Sequence, residues 1–205
     1  MEHYIYMFNR KFIIVILLII SNLTISGCGP LIVAGAASTF AMIADRRTTG
    51  TIIEDNSIEL KALKNLSDDD DISKNSKISV TSYNERVLLT GQANSEYIKS
   101  KIVDAIKQIT KVRTIYNEIQ ISKNASFSSS SYDTWLTTKV KTKLTANTKI
   151  STLNMKITTN NKTVYLMGLV TPEEANIATE ITRKVAGVQK VVKLFEYIDN
   201  INNDS

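Results

Sequence analysis

Cysteine and histidine are nearly missing from these 205 residues: there is one of each, Cys28 and His3. A single cysteine excludes any disulfide within the chain, so stability has to come from packed cores. His3 stands ahead of Arg10, Lys11 and a short apolar run over residues 12–20. That charged-then-apolar layout reads as an export signal, and the run is too short to cross a bilayer comfortably. With the signal removed no imidazole is left. This excludes Ser-His-Asp and Cys-His nucleophilic catalysis and any histidine-ligated zinc site. No Gly-rich phosphate loop occurs, and Glu173, Glu174 and Glu180 are accounted for by a helix cap and a solvent face rather than by paired acids. The acidic run at 68–71 lacks the staggered ligands and the turn glycine of a calcium loop, and reads as a solvated loop. The expectation is a protein with no catalytic residue, no metal and no cofactor.

Behind the apolar run stands Ile25-Ser26-Gly27-Cys28, a tetrad that resembles the lipobox of bacterial lipoproteins. In that family the cysteine is alkylated with diacylglycerol, the signal is cut off before it, and the new amine is acylated. The resemblance implies lipidation at Cys28, and then no free thiol remains. Each buried methylene contributes about 0.8 kcal/mol, so several acyl chains hold far more firmly than one. Gly29 in place of Asp implies, by the sorting convention of enteric-type bacteria, passage to the outer membrane, with the protein facing the periplasm. The net charge of +5 is uneven: residues 45–122 carry 12 basic and 12 acidic side chains, residues 123–205 carry 11 and 7. The excess of positive charge lies in the second half.

The chain contains an internal repeat. Residues 78–91 align without gaps on residues 155–168, and residues 109–115 align on 185–191 once one residue is dropped. In each copy a spacing of two comes first: Ile78, Val80, Val87 and Leu89 around Asn84-Glu85, and Met155, Ile157, Val164 and Leu166 around Asn160-Asn161. Asn tolerates positive φ, so both read as β-hairpins. Helical spacing comes next, through Ile98, Ile102, Ala105, Ile106 and Ile109, and through Ile177, Ala178, Ile181 and Val185. Thr171-Pro172-Glu173-Glu174 reads as a capping box with proline at the first helical position. Gly187 is expected to end the second helix. Lys111 occupies the matching place in the first copy and tolerates a left-handed backbone poorly, so that helix end is expected to be built differently.

Amphipathic stretches over residues 52–66 and 133–147 precede the two hairpins. Each module is therefore helix, strand, strand, helix, strand, with both helices covering one face of a three-stranded sheet. This order, with Gly91 and Gly168 after the second strand and Ala186-Gly187-Val188 after the second helix, resembles the BON domain. BON domains are associated with periplasmic and membrane-surface proteins and with phospholipid interaction. Two of them behind a lipobox look like the dual-BON outer-membrane lipoproteins. The resemblance implies an α+β fold of two tandem αββαβ modules, each a three-stranded mixed sheet covered by two helices. The expected division is a signal at 1–27, a lipidated segment at 28–50, a BON domain at 51–122, a Ser-rich linker at 123–132, a second BON domain at 133–199 and a tail at 200–205.

The working surface is expected on the helix beginning at Asp133. Leu136, Val140 and Leu144 form its buried stripe, while Trp135, Lys139 and Lys143 share the neighbouring stripe, with Lys141 and Lys149 adding positive charge. Tryptophan favours the headgroup region, and each lysine near an anionic surface contributes about 1 kcal/mol. The family resemblance implies anionic phospholipids, phosphatidylglycerol or cardiolipin, as partners of this helix, with Trp135 at the matching position; Leu136, Lys139, Lys141 and Lys143 are expected to join it in binding. It also implies roles in envelope integrity, division-site localisation and outer-membrane protein assembly, with that machinery as a protein partner. The alternative is a periplasmic adaptor that uses the Trp135 helix to bind a protein. The first module's equivalent helix carries Glu54, Asp55 and Glu59 and no tryptophan, and is expected not to bind such lipids but to serve as a structural or protein-facing element. Nucleic acid is excluded by location.

Overall fold

The computed structural model describes residues 45–122 and 130–199. The signal, Cys28 and the segment up to residue 44, most of the Ser-rich linker and the tail lie outside the described residues. Helix α1, Thr49–Asp68, starts where the Thr48 side chain accepts from the Thr51 amide, and it buries Ile58, Ala62 and Leu66 at a spacing of four. It stops at Asp69, whose backbone is extended and whose carboxylate accepts from the Asp71 and Ile72 amides. A second short helix, α2, Asp70–Asn75, grows from that cap. The acidic run expected as a solvated loop is thus a helix stop followed by a helix start. Lys101 adds to this by reaching Asp69 at 2.8 Å and Asp71 at 2.9 Å, and its hydrogen bond to Asp69 is the first reason that carboxyl is held below its ordinary range.

Strand β1, Ser76–Tyr83, pairs antiparallel with β2, Arg86–Ala93. Helix α3, Glu96–Lys107, capped by Ser95, then returns the chain so that β3, Thr114–Ile121, runs parallel to β2. The second copy repeats this order with α4, Ser130–Thr145, a short 3₁₀ turn at Thr152–Asn154, β4, Met155–Asn160, β5, Thr163–Val170, α5, Pro172–Arg183, and β6, Lys190–Tyr197. Its strands pair in the same way. The two mixed sheets, each with its second strand central, agree with the αββαβ reading. The capping box is present: Glu174 accepts from the Thr171 amide at 2.8 Å while Thr171 accepts from the Glu174 amide at 3.3 Å. Helix α5 ends at Arg183 with Lys184 as its C-cap, short of the expected Gly187.

Both hairpins turn through two residues of positive φ, Asn84 and Glu85 (53° and 61°) and Asn161 and Lys162 (47° and 60°), the pattern of a type I′ turn. Each turn is stapled by a buried carboxylate from the first helix of its module. Asp55 accepts from the Asn84 and Glu85 amides at 2.8 Å each, and Asp133 accepts from the Asn161 and Lys162 amides at 2.7 and 3.0 Å. Asp55 is therefore a structural group and not surface charge. The expectation about Lys111 also needs correction: its φ is 73°, so it enters the left-handed region as Gly187 does at 107°. The parallel strand must start in the same register in both copies, and the surrounding fold imposes the conformation despite its cost for lysine.

Along the strands, residues of one parity face the helices. Val87, Leu89, Ile78, Val80, Ile115 and Ile119 meet Ile58, Ala62, Ile98, Ile102 and Ile106 in the first core, and the second core is its counterpart around Val164, Leu166, Leu136, Val140 and Ala178. Residues of the other parity are apolar too. Tyr83 and Leu88 of the first sheet and Tyr165, Met167 and Leu194 of the second form a third buried cluster, with Tyr116, Leu169 and Val192 at its margin. The two sheets thus pack face to face. The order of layers is α1 and α3, first sheet, second sheet, α4 and α5. Burying each such side chain contributes on the order of 1.5–3 kcal/mol, against about 0–1 for an exposed ion pair, so apolar contact holds the seam. Polar groups fix its register: Glu196 takes Arg86 at 2.8 Å and the Asn84 side-chain amide at 3.0 Å. Burial pushes the Tyr83 hydroxyl up to about 12, and burial followed by the Glu118 carboxylate does the same to Tyr165.

Candidate functional site

Helix α4 is fixed in position and rotation by residues that the surface never sees. Asp133 ties its first turn to the hairpin, and Leu136, Val140 and Leu144 are wholly buried. This phase turns Thr134, Trp135, Thr138, Lys141, Thr142, Thr145 and Ala146 outward. The hydroxyls of Thr138 and Thr142 donate back to the carbonyls four residues earlier, at 3.0 Å each, so their polarity is satisfied inside the helix. Thr138, Lys141, Thr142, Thr145 and Ala146 line a shallow depression.

Trp135 sits at one end of this face, 51 % exposed. Its ring lies 5.4 Å from that of Tyr132, tilted by 41°, and the Lys139 ammonium stands 4.7 Å from the indole centroid. Lys139 also donates to the Ala186 carbonyl at 3.1 Å, closing the loop after α5 onto α4. The Tyr132 hydroxyl occupies the space beside Gly187, where any Cβ would come within 2.5 Å of it. Lys162, from the hairpin turn, stands 5.7 Å over the Tyr132 ring. The result is an aromatic pair with two ammonium groups held against it, and Lys141 and Lys143 are exposed further along the same helix. The only carboxylate on α4 is Asp133, which is turned inward. The outward face of the helix therefore carries positive charge alone.

Of the residues expected to contact lipid, the structure brings Trp135, Lys139 and Lys143 onto one side of α4 and puts Lys141 on the other flank of the threonine strip. Leu136 is corrected: it is 0 % exposed, packed in the second core, and offers nothing to a surface. It stands one position from Trp135 in sequence but 100° away around the helix. Cys28 lies outside the described residues. Sequence reasoning did not name Tyr132 and Lys162. Tyr132 was legible in principle, three residues before Trp135 on the same helix.

A second constellation escaped the sequence entirely. Arg46 donates to both carboxylate oxygens of Glu174, at 2.6 and 3.1 Å, and to the Leu169 carbonyl at 2.9 Å, while its amide donates to Asn154 at 3.1 Å. Its neighbour Arg47 turns the other way, to Asp55 at 2.8 Å and over the Tyr83 ring at 4.0 Å, with Asp45 bracing its guanidinium. Three consecutive residues thus join the capping box of the second module to the stapled hairpin of the first. Burial pushes the Glu174 carboxyl up, but Arg46 and the Thr171 amide outweigh it and hold the group below the usual carboxylate range.

The chain matches the model of one family, described as the BON domain, twice, at residues 54–123 and 132–199. It is 35% identical over 179 residues to the outer membrane lipoprotein DolP of Haemophilus influenzae, covering 87% of this chain and 93% of that one. It is 35% identical over 154 residues to the 21 kDa hemolysin of Actinobacillus pleuropneumoniae, covering 75% and 79%. Over 145 residues it is 28% identical to the osmotically-inducible protein Y of Escherichia coli, covering 69% and 72%. Among solved structures, the C-terminal domain of CdsD, a structural protein of the type III secretion system of Chlamydia trachomatis, superposes with a TM-score of 0.28 at 14% identity, covering 70% of this chain and 67% of that one.

Proposed function

Because the chain belongs to the BON-domain family, with two such domains in tandem over nearly the same span as DolP, we propose that it is a non-enzymatic outer-membrane lipoprotein that lays α4 on anionic phospholipid. The relative named as an outer membrane lipoprotein supports the compartment, and the lipobox ending at Cys28 supports the anchor. Envelope integrity, division-site localisation and support of outer-membrane protein assembly are the roles the family resemblance implies for such a protein.

The observation that carries the lipid reading is the outward face of α4: a half-exposed tryptophan paired with Tyr132, lysines on both flanks, and no exposed carboxylate. An indole with a wet N–H and an apolar ring suits the headgroup layer, and ammonium groups beside it suit phosphate. Lys139 spends its charge partly on Ala186 and on the indole, so Lys141 and Lys143 carry more of the attraction than the sequence pattern alone implies.

The test is a titration of full-length protein with phosphatidylglycerol micelles and, separately, phosphatidylcholine micelles, followed by amide chemical shifts. The expected outcome is perturbation confined to residues 130–146, the 161–162 turn and the 186–187 loop, with phosphatidylglycerol only, weakening as salt shortens the screening length to a few ångströms. Equal shifts with both lipids, or shifts scattered over both modules, overturn the reading and leave the adaptor.

A further inference from the structure

The two modules share one backbone frame at their hairpin tips. Asp55 and Asp133 hold equivalent turns, and the carbonyl of the second turn residue accepts from the residue that precedes the third strand: Glu85 from the Arg113 amide at 2.8 Å, Lys162 from the Gln189 amide at 3.0 Å. Both turn residues sit at positive φ, 61° and 60°, where glycine or asparagine is the easy choice. The frame uses their main-chain atoms alone, so it does not prescribe which side chain stands there. Counting from the two aspartates, Glu54, Ser57 and Glu85 of the first module answer to Tyr132, Trp135 and Lys162 of the second. At one corner of the fold, two carboxylates and a hydroxyl give way to two aromatic rings and an ammonium group.

The second module's corner is held in place before any ligand arrives. The Tyr132 hydroxyl lies beside Gly187, its ring is 5.4 Å from that of Trp135, and the Lys162 ammonium stands 5.7 Å over the Tyr132 ring. With its amide on Asp133 and its carbonyl on Gln189, Lys162 leaves the turn from a fixed base. Asp133 is buried and occupied by two amides, and among the described residues no carboxylate pairs with the Lys162 ammonium. Lys139, by contrast, already donates to the Ala186 carbonyl. A cation positioned in advance loses little freedom when it takes an anion. Resting on the lipid reading above, we infer that Lys162 is a headgroup ligand: its ammonium group takes the phosphodiester of the anionic phospholipid on which Trp135 rests. The site is then a corner made by α4, the hairpin turn and the loop after α5, not the face of one helix.

Trp135 is the chain's one tryptophan, so its emission reports the site directly. Full-length lipidated protein is held in phosphatidylcholine micelles and phosphatidylglycerol is titrated in, with a blue shift expected for wild type. Lys162→Gln should raise the midpoint about five-fold and Lys162→Glu on the order of twenty-fold, while Lys162→Arg stays at wild type. Lys162→Glu writes into the second module the Asn-Glu turn that the first already carries on the same frame, so its melting temperature is expected to hold. A wild-type blue shift with unchanged midpoints in Lys162→Gln and Lys162→Glu overturns the inference and leaves the lipid reading standing. No shift in wild type overturns both. A midpoint that moves only where the melting temperature falls, an arginine that fails to restore it, or inorganic phosphate that shifts the emission as the lipid does, also overturns the inference.

Discussion

Replacing Arg46 by alanine removes the three side-chain hydrogen bonds that tie the clasp formed by residues 45–47 to the second module. Its side chain is 20% exposed and that of Glu174 13%, so the pair lies between two limits. An exposed pair contributes about 0–1 kcal/mol, whereas removing one partner of a fully buried pair costs about 3–5. Glu174 keeps the Thr171 amide as a partner, and a loss of about 2 kcal/mol is expected. For a chain of this size that lowers the thermal midpoint by roughly 4–8 °C. The assay is thermal unfolding of full-length protein in zwitterionic detergent, monitored by circular dichroism, for wild type, Arg46→Ala, Glu174→Gln and the double variant.

The pH dependence of that loss comes from the depressed Glu174 carboxyl. Its stabilisation is present above the ordinary glutamate pKa and disappears as pH falls through the lower folded value. The gap between wild type and Arg46→Ala is therefore full at neutral pH and narrows in acid, and Glu174→Gln removes this dependence. If the two single changes add within about 0.5 kcal/mol, or if the gap is the same in acid, the clasp does not couple the modules.

The geometry fixes three other outcomes. Gly91→Ala puts a Cβ 2.0 Å from the Lys77 carbonyl oxygen at a φ of +120°, and an unfolding free energy lower by about 3 kcal/mol or more is expected; a change under about 1 contradicts the contact. Lys111→Gly relieves a left-handed lysine and should raise stability by about 0.5–1 kcal/mol in denaturant unfolding, whereas a fall means the lysine side chain is needed. Leu136→Ala should cost about 2–5 kcal/mol of stability, and Trp135→Ala less than about 0.5 while lowering retention on phosphatidylglycerol vesicles. Retention lost in Leu136→Ala at unchanged stability would restore Leu136 to the surface.

The sequence alone determined what depends on neighbours a few residues apart. Alternation at Ile78 and Val80, helical spacing from Ile98 to Ile109, the Thr171–Glu174 box and the Asn-led turns are each satisfied within a single element or hairpin, so the modules and their order were legible. The burial of Leu136 beside the exposure of Trp135 was legible in the same way, from their angle around one helix. Tertiary structure decided what depends on which surfaces meet. The apolar parity of Leu88, Tyr165 and Met167 permits a second buried face, but the partner that fills it comes from the other module. Lys139 looks free in the sequence and is held by a carbonyl 47 residues away, and Arg46 finds Glu174 across 128. Contacts at such separations leave no periodic trace, because spacing in the chain records only the geometry of the element that a residue sits in.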